Sequence, residues 1–197
     1  MRNGVARSVY SPPWRVDVTI REGTPRLVAV STLVRLIGAA LAEASAPAPA
    51  SVGLILSDDR ELAELNERQL GHIGPTDVLS FPLLPPSAFP GHPGRGRSAR
   101  VPQPHPPFVL PPGRRLHLGD IVVSVERAIE QASLGRGGQL GRTRWSLGDE
   151  LRLLVVHGTL HLCGWDHAEL EEGTAMGALE HRLLDGTPRP PPDRAAG

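Results

Sequence analysis

Residues 149–167 read DELRLLVVHGTLHLCGWDH, and the fold turns on this stretch. Leu151, Leu153, Leu154, Val155, Val156, Leu160 and Leu162 lie around most of the circumference of a helix, which predicts a buried helix over 149–163. His157 and His161 are four residues apart, so on that helix one imidazole stands a turn above the other. Both can reach a single ion at about 2.0–2.1 Å. Gly164 supplies a residue able to take positive φ and end the helix, and the chain then turns back to bring His167 to the same ion as a third ligand. Burying three unpaired imidazoles in so apolar a helix would be costly, which favours a metal over three isolated core histidines. Three neutral imidazoles favour zinc and leave a fourth position open for water, as in catalytic sites. Cys163, the single cysteine, follows His161 by two residues and so lies on the other side of the helix; a closed Cys-His site is disfavoured.

The three histidines and their glycine share the spacing of metzincin proteases, but those place a Glu directly after the first His as general base. Gly158 stands there, so a conventional zinc protease is disfavoured. A zinc-bound water must then pass its proton elsewhere, to Asp166 or to a substrate oxygen. Asp166 is open to three readings: a partner holding a ligand imidazole, the base, or a turn cap.

Before this stretch, Trp14, Val16, Val18 and Ile20 alternate as in a half-buried strand, and 26–43 carries Leu27, Val30, Leu33, Val34, Ile37 and Leu41 at helical spacing. Residues 51–57 read as a strand, with Ser57-Asp58-Asp59 capping a helix over 60–69. Strands follow at 77–83 and 116–125, and helices at 126–134 and 169–184. The order predicts one α+β domain over 14–184, a small four-stranded mixed sheet packed against about five helices. Residues 1–13 are expected to be a flexible N-terminus and 185–197 a disordered tail. Residues 85–115, rich in Pro, Gly and Arg, form a long inter-strand loop, either a solvated linker or a flap touching substrate. The glycine-rich 135–141 lacks the Gly-Lys-Ser/Thr ending of a phosphate loop.

The apolar fraction of 40% over 197 residues suffices for a single core. Twenty-one cations, all arginine, balance 21 acidic residues, which excludes a wholly basic RNA-coating protein but not a local Arg-lined groove. One cysteine makes no internal disulfide, and no apolar run reaches the roughly 18–20 residues of a membrane span. With no export signal evident, the expected compartment is the cytoplasm, without membrane contact.

Three segments occur in a recognisable order: Leu65-Asn66 with Pro75-Thr76-Asp77-Val78-Leu79-Ser80-Phe81-Pro82, then Leu118-Gly119-Asp120-Ile121-Val122-Val123-Ser124, then His157 to His167. Together they resemble the YbeY family of bacterial rRNA maturation factors, described as zinc-dependent endoribonucleases. The family pattern H-G-x-L-H-L-x-G-x-D-H carries Gly after its first His, so the departure from proteases agrees with it. The resemblance implies one zinc held by His157, His161 and His167, at one end of a groove suited to single-stranded RNA. The residues themselves add Asp166 to these three as the expected catalytic set. It further implies a role in maturing the 3′ end of small-subunit rRNA and in ribosome quality control, with the small ribosomal subunit, its proteins and GTPases as partners. One position departs: the family's Arg after the Leu-Asn pair would fall at about Leu70. Arg68 and Arg60 are the nearest candidates for an RNA phosphate contact, and Arg95, Arg97 and Arg100 are others. Two competing readings are a ribosome-assembly factor whose zinc is mainly structural, and a zinc peptidase drawing its carboxylate from a distant segment.

Overall fold

The computed structural model describes residues 3–94, 115–134 and 145–187. Five strands form one sheet: β1 (Gly4–Ser11), β2 (Trp14–Arg21), β3 (Ala50–Ser57), β4 (Val78–Pro82) and β5 (Leu116–Ser124), in the order β1-β2-β3-β5-β4. The central β2, β3 and β5 run parallel, and β1 and β4 close the edges antiparallel. The helices are α1 (Val30–Glu43), α2 (Asp59–Leu70), α3 (Val125–Ser133), α4 (Leu147–Leu162) and α5 (Leu170–Asp185). The α+β class and mixed sheet agree with the expectation, with one strand more.

That strand is β1, where a flexible N-terminus was expected. It pairs residue for residue with β2, from Gly4 opposite Arg21 to Ser11 opposite Trp14. Most of its side chains are exposed, so it shows no clean apolar alternation, and its fit comes from main-chain pairing. The first helix also starts later than its apolar spacing suggests. Ala29 is extended (φ −61°, ψ 133°), and Val28 is buried from a non-helical segment.

Strand alternation divides the core between the two faces of the sheet. Val16, Val18, Val52, Leu54, Leu56, Ile121 and Val123 join the core that α1 and α4 cover, with α5 packed on those two helices. Leu79 and Val122 point the other way, onto Leu62 and Leu65 of α2. The sheet therefore separates α2 from α4. Helix α4 opens on a capping box, in which the Ser146 hydroxyl accepts from the Asp149 amide and the Asp149 carboxylate accepts from the Ser146 amide. Almost every α4 residue is buried, including Arg152 at 1% exposure. Its guanidinium donates to Asp149 Oδ1 at 3.0 Å and to the carbonyls of Leu184 and Thr187 at 3.0 and 2.9 Å, so it caps the end of α5.

Residues 85–94 of the expected long loop are described, and they begin with a 3-10 turn at Pro86–Ala88. Its remainder to 114, with Arg95, Arg97 and Arg100, lies outside the described residues, as do 135–144 and 188–197. Among the described residues no helix is long and apolar enough to cross a membrane.

Candidate metal centre

Helix α4 ends as its glycine dictates. Gly164 sits at φ +81°, its amide donates to His161 O at 3.0 Å, and the Trp165 amide reaches back to Leu160 O at 3.1 Å. The chain reverses there and brings His167 back beside the helix. A Cβ on Gly164 would lie 3.0 Å from both Cα and Cβ of Pro86. Gly164→Ala is therefore expected to cost about 1–2 kcal/mol from the left-handed backbone alone, plus that contact. It should lower Tm by on the order of 5 °C, read in a thermal melt.

One ligand nitrogen from each of His157, His161 and His167 lies within 4.8 Å of the others. The rings approach from different directions: His157 and His161 meet at 82° with centroids 4.5 Å apart, and His167 lies 5.5 and 5.1 Å from them. His161 Nδ1 is 2.8 Å from the carbonyl of Trp165, and a carbonyl only accepts, so His161 carries its proton on Nδ1. His157 Nδ1 donates likewise to Glu180 Oε1 at 2.7 Å. With both rings neutral, as ligands are, the two Nε2 atoms are bare lone pairs, yet they stand 2.9 Å apart. Facing lone pairs at that distance repel, and a cation shared between them removes the conflict. The donor set thus fits a metal ion on its own chemistry. Burial, then the neighbouring His157, push His161 below its ordinary pKa and hold it neutral, as a ligand must be. His167 is exposed, so the third side of the cluster faces solvent.

Glu180 escaped the reading of the sequence. It belongs to the buried stripe of α5 with Met176, Leu179 and Leu183, and a carboxylate in an apolar stripe is the signal that marks it. A carboxylate on the far nitrogen of a ligand imidazole orients the ring and raises its basicity. Glu180→Ala is expected to weaken metal affinity by roughly 10–100-fold with the fold retained, as measured by competition with a chromogenic chelator.

The other residues singled out in the sequence take separate places. Asp166 is exposed; its Oδ1 accepts from the His167 amide at 2.7 Å, and its own amide donates to Glu172 Oε1 at 2.8 Å. Its carboxylate thus ties the turn beside the third ligand. Arg60 and Arg68 are exposed on α2, on the far face of the sheet from α4, and Arg60 lies 3.8 Å from Glu64. The structure does not bring them to the three histidines. Asn66 and Asp77 of the first sequence motif hold the approach to β4: Asn66 Nδ2 donates to Gly74 O at 2.9 Å, and Asp77 Oδ2 accepts from Gln131 at 2.9 Å.

Gly158 lies where α4 is pressed against β4 and β5. A Cβ there would be 2.7 Å from Ile121 Cγ2, 2.9 Å from Val78 Cγ2 and 3.2 Å from Ser80 Oγ, while the Ser80 hydroxyl donates to Gly158 O at 2.9 Å. No side chain fits at the position a metzincin uses for its base.

Fold and site together define an α+β protein with a three-histidine centre, built from one buried helix and the turn after it. The family described as Endoribonuclease YbeY matches residues 24–187, and the chain belongs to that family. It is similar to the Endoribonuclease YbeY of Mycobacterium bovis, 39% identical over 138 residues that make up 69% of this chain and 63% of the relative. The Salinispora tropica protein of that name is 42% identical over 135 residues, 68% of this chain and 73% of its own. The match thus spans just under two thirds of the mycobacterial relative's length. A solution structure from Thermotoga maritima is similar at 22% identity and TM-score 0.42, over 86% of this chain and 87% of its own.

Proposed function

We propose that this chain is a zinc-dependent endoribonuclease that hydrolyses phosphodiester bonds in single-stranded RNA, acting in maturation of the small-subunit rRNA 3′ end and in ribosome quality control. The observation that carries the reading is the pair of Nε2 atoms 2.9 Å apart, with a ring nitrogen of His167 within 4.8 Å of both. The endoribonuclease name that its relatives carry supports the RNA substrate. Bound there, zinc would polarise a phosphoryl oxygen and activate water or the neighbouring 2′-hydroxyl.

His157, His161 and His167 hold the ion, and Glu180 and the Trp165 carbonyl fix the proton on Nδ1 of the first two. Asp166, beside the third ligand, is the nearest carboxylate in sequence to receive a proton, because Gly158 leaves no room for one on the helix. Arg68 and Arg60, exposed on α2, are the candidates for contacts to RNA phosphates away from the centre. The partners in this reading are rRNA, the small ribosomal subunit with its proteins, and GTPases, in the cytoplasm.

A second reading, an assembly factor whose zinc is mainly structural, draws on one feature: the ligands span α4 and the turn after it, so an ion would also tie the two together. Metal removal separates them. Dialysis of the purified chain against a chelator is expected to abolish cleavage of an rRNA 3′-end fragment, and about one zinc per chain should restore it. A chain that holds zinc but does not cut, with or without ribosomal partners, would transfer the conclusion to the assembly factor.

A further inference from the structure

The connection from β4 to β5 approaches the back of the metal turn at three points, and the middle one is a histidine. Pro86 touches Gly164, and the backbone of Gly94 is so close to α5 that a Cβ there would lie 2.2 Å from the Glu172 amide nitrogen. Between them, His92 lies flat on Trp165, with ring centroids 3.9 Å apart and planes within 8°. Its side chain is 6% exposed, and its Nε2 is 3.3 Å from the carbonyl of Gly164 and 3.5 Å from Glu172 Oε1. Since a carbonyl only accepts, the His92 proton sits on Nε2. Nδ1 is then a buried acceptor with no hydrogen-bond partner among the described residues. A phenyl ring would stack on Trp165 as well and leave no such orphan, so stacking alone does not account for an imidazole here. What the imidazole adds is the Nε2–H bond to the turn.

That bond falls on a telling atom. Gly164 and Trp165 present successive carbonyls: the first is held by His92, and the second accepts from Nδ1 of His161. The same turn is held from α5 as well, where buried Glu172 accepts from the Asp166 amide, one residue before His167. We propose that His92 is a positioning residue of the metal centre: with Glu172 it fixes the peptide planes of residues 164–166, and through them the tautomer of His161 and the approach of His167. The proposal rests on the metal-centre reading above. It gives the first part of the long strand connection a task that neither linker nor substrate flap describes.

The test is metal affinity. Wild type, His92→Ala, His92→Phe and Glu172→Gln are titrated with Co2+ alone, reading the visible d–d absorption, and with Zn2+ in competition with a chelator. All are measured at a temperature well below their melting points. His92→Ala is expected to weaken binding by roughly 10–100-fold, as for partners that orient a ligand, and to change the Co2+ band shape as the ligand geometry loosens. His92→Phe should keep the stack and the melting temperature but recover only part of the affinity. The proposal is overturned if His92→Ala lowers the melting temperature while leaving Co2+ and Zn2+ affinity and the band shape unchanged, since packing alone would do that. It is equally overturned if His92→Phe binds as tightly as wild type. Failure of the metal-centre reading looks different: wild type itself would bind neither ion with a defined stoichiometry.

Discussion

Alanine at His161 is expected to leave a folded chain without a metal ion and without nuclease activity. His161 sits between the other two ligands in sequence, shares the short Nε2 contact with His157 and has its own tautomer fixed by Trp165. Its loss leaves two imidazoles, one of them exposed, which do not retain zinc against dialysis. Zinc content should fall from about one per chain to near zero, and cleavage of an rRNA 3′-end fragment by at least on the order of 100-fold. The α4 packing is independent of the imidazole, since Leu151, Val155, Leu160 and Leu162 are fully buried and His161 is only partly so. Circular dichroism and the thermal melt should therefore stay close to the apo wild type. A variant that unfolds, losing rRNA association only in proportion, would favour the structural-zinc reading.

The second large effect is at Gly158, where two rules predict opposite signs. Helix propensity alone makes Gly158→Ala stabilising by about 1 kcal/mol. Packing makes it destabilising, because the new methyl meets Ile121 and Val78 at under 3.0 Å and both are β-branched residues set in strands. Overpacking of a tight core costs typically about 1–3 kcal/mol and should win. Gly158→Ala is expected to lower Tm by several degrees, and Gly158→Glu to prevent folding or force α4 off the sheet, since it adds a carboxylate to the same crowded contact. The melt of the alanine variant decides; a rise in Tm would show that the strands can yield. The same contact explains why the zinc-peptidase reading has no base to draw on from the helix.

Much of this was legible in the sequence because it is local. The histidines at 157, 161 and 167 and the glycine at 164 are read by counting along a helix and its end, and the structure brings them together as counted. The strands at 14–20 and 51–57 announce themselves by their apolar residues. β1 does not, since an edge strand with one face in solvent is chosen by main-chain pairing. Glu180 and His92 are hard to assign for another reason: each acts on the centre across a long stretch of chain, through helix packing or a loop that folds back. Neither carries a local pattern beyond being a polar residue in a buried place. The Arg expected near Leu70 remains a real departure, because Leu70 is itself exposed at the end of α2, and the neighbouring arginines face away from the centre.

The two polar pins between α4 and α5 set a limit on how the chain can be shortened. Arg152 holds the carbonyls of Leu184 and Thr187, and one turn before Leu184 on the same helix Glu180 holds His157. Sliding α5 by a single turn, about 5.4 Å, would break both at once. Helix α5 therefore acts as a gauge that is either seated or not, with no intermediate register in which the centre is half assembled. A chain trimmed ahead of Thr187 loses a carbonyl acceptor from a guanidinium buried in the core, and the disturbance arrives at the metal ligands along the same helix.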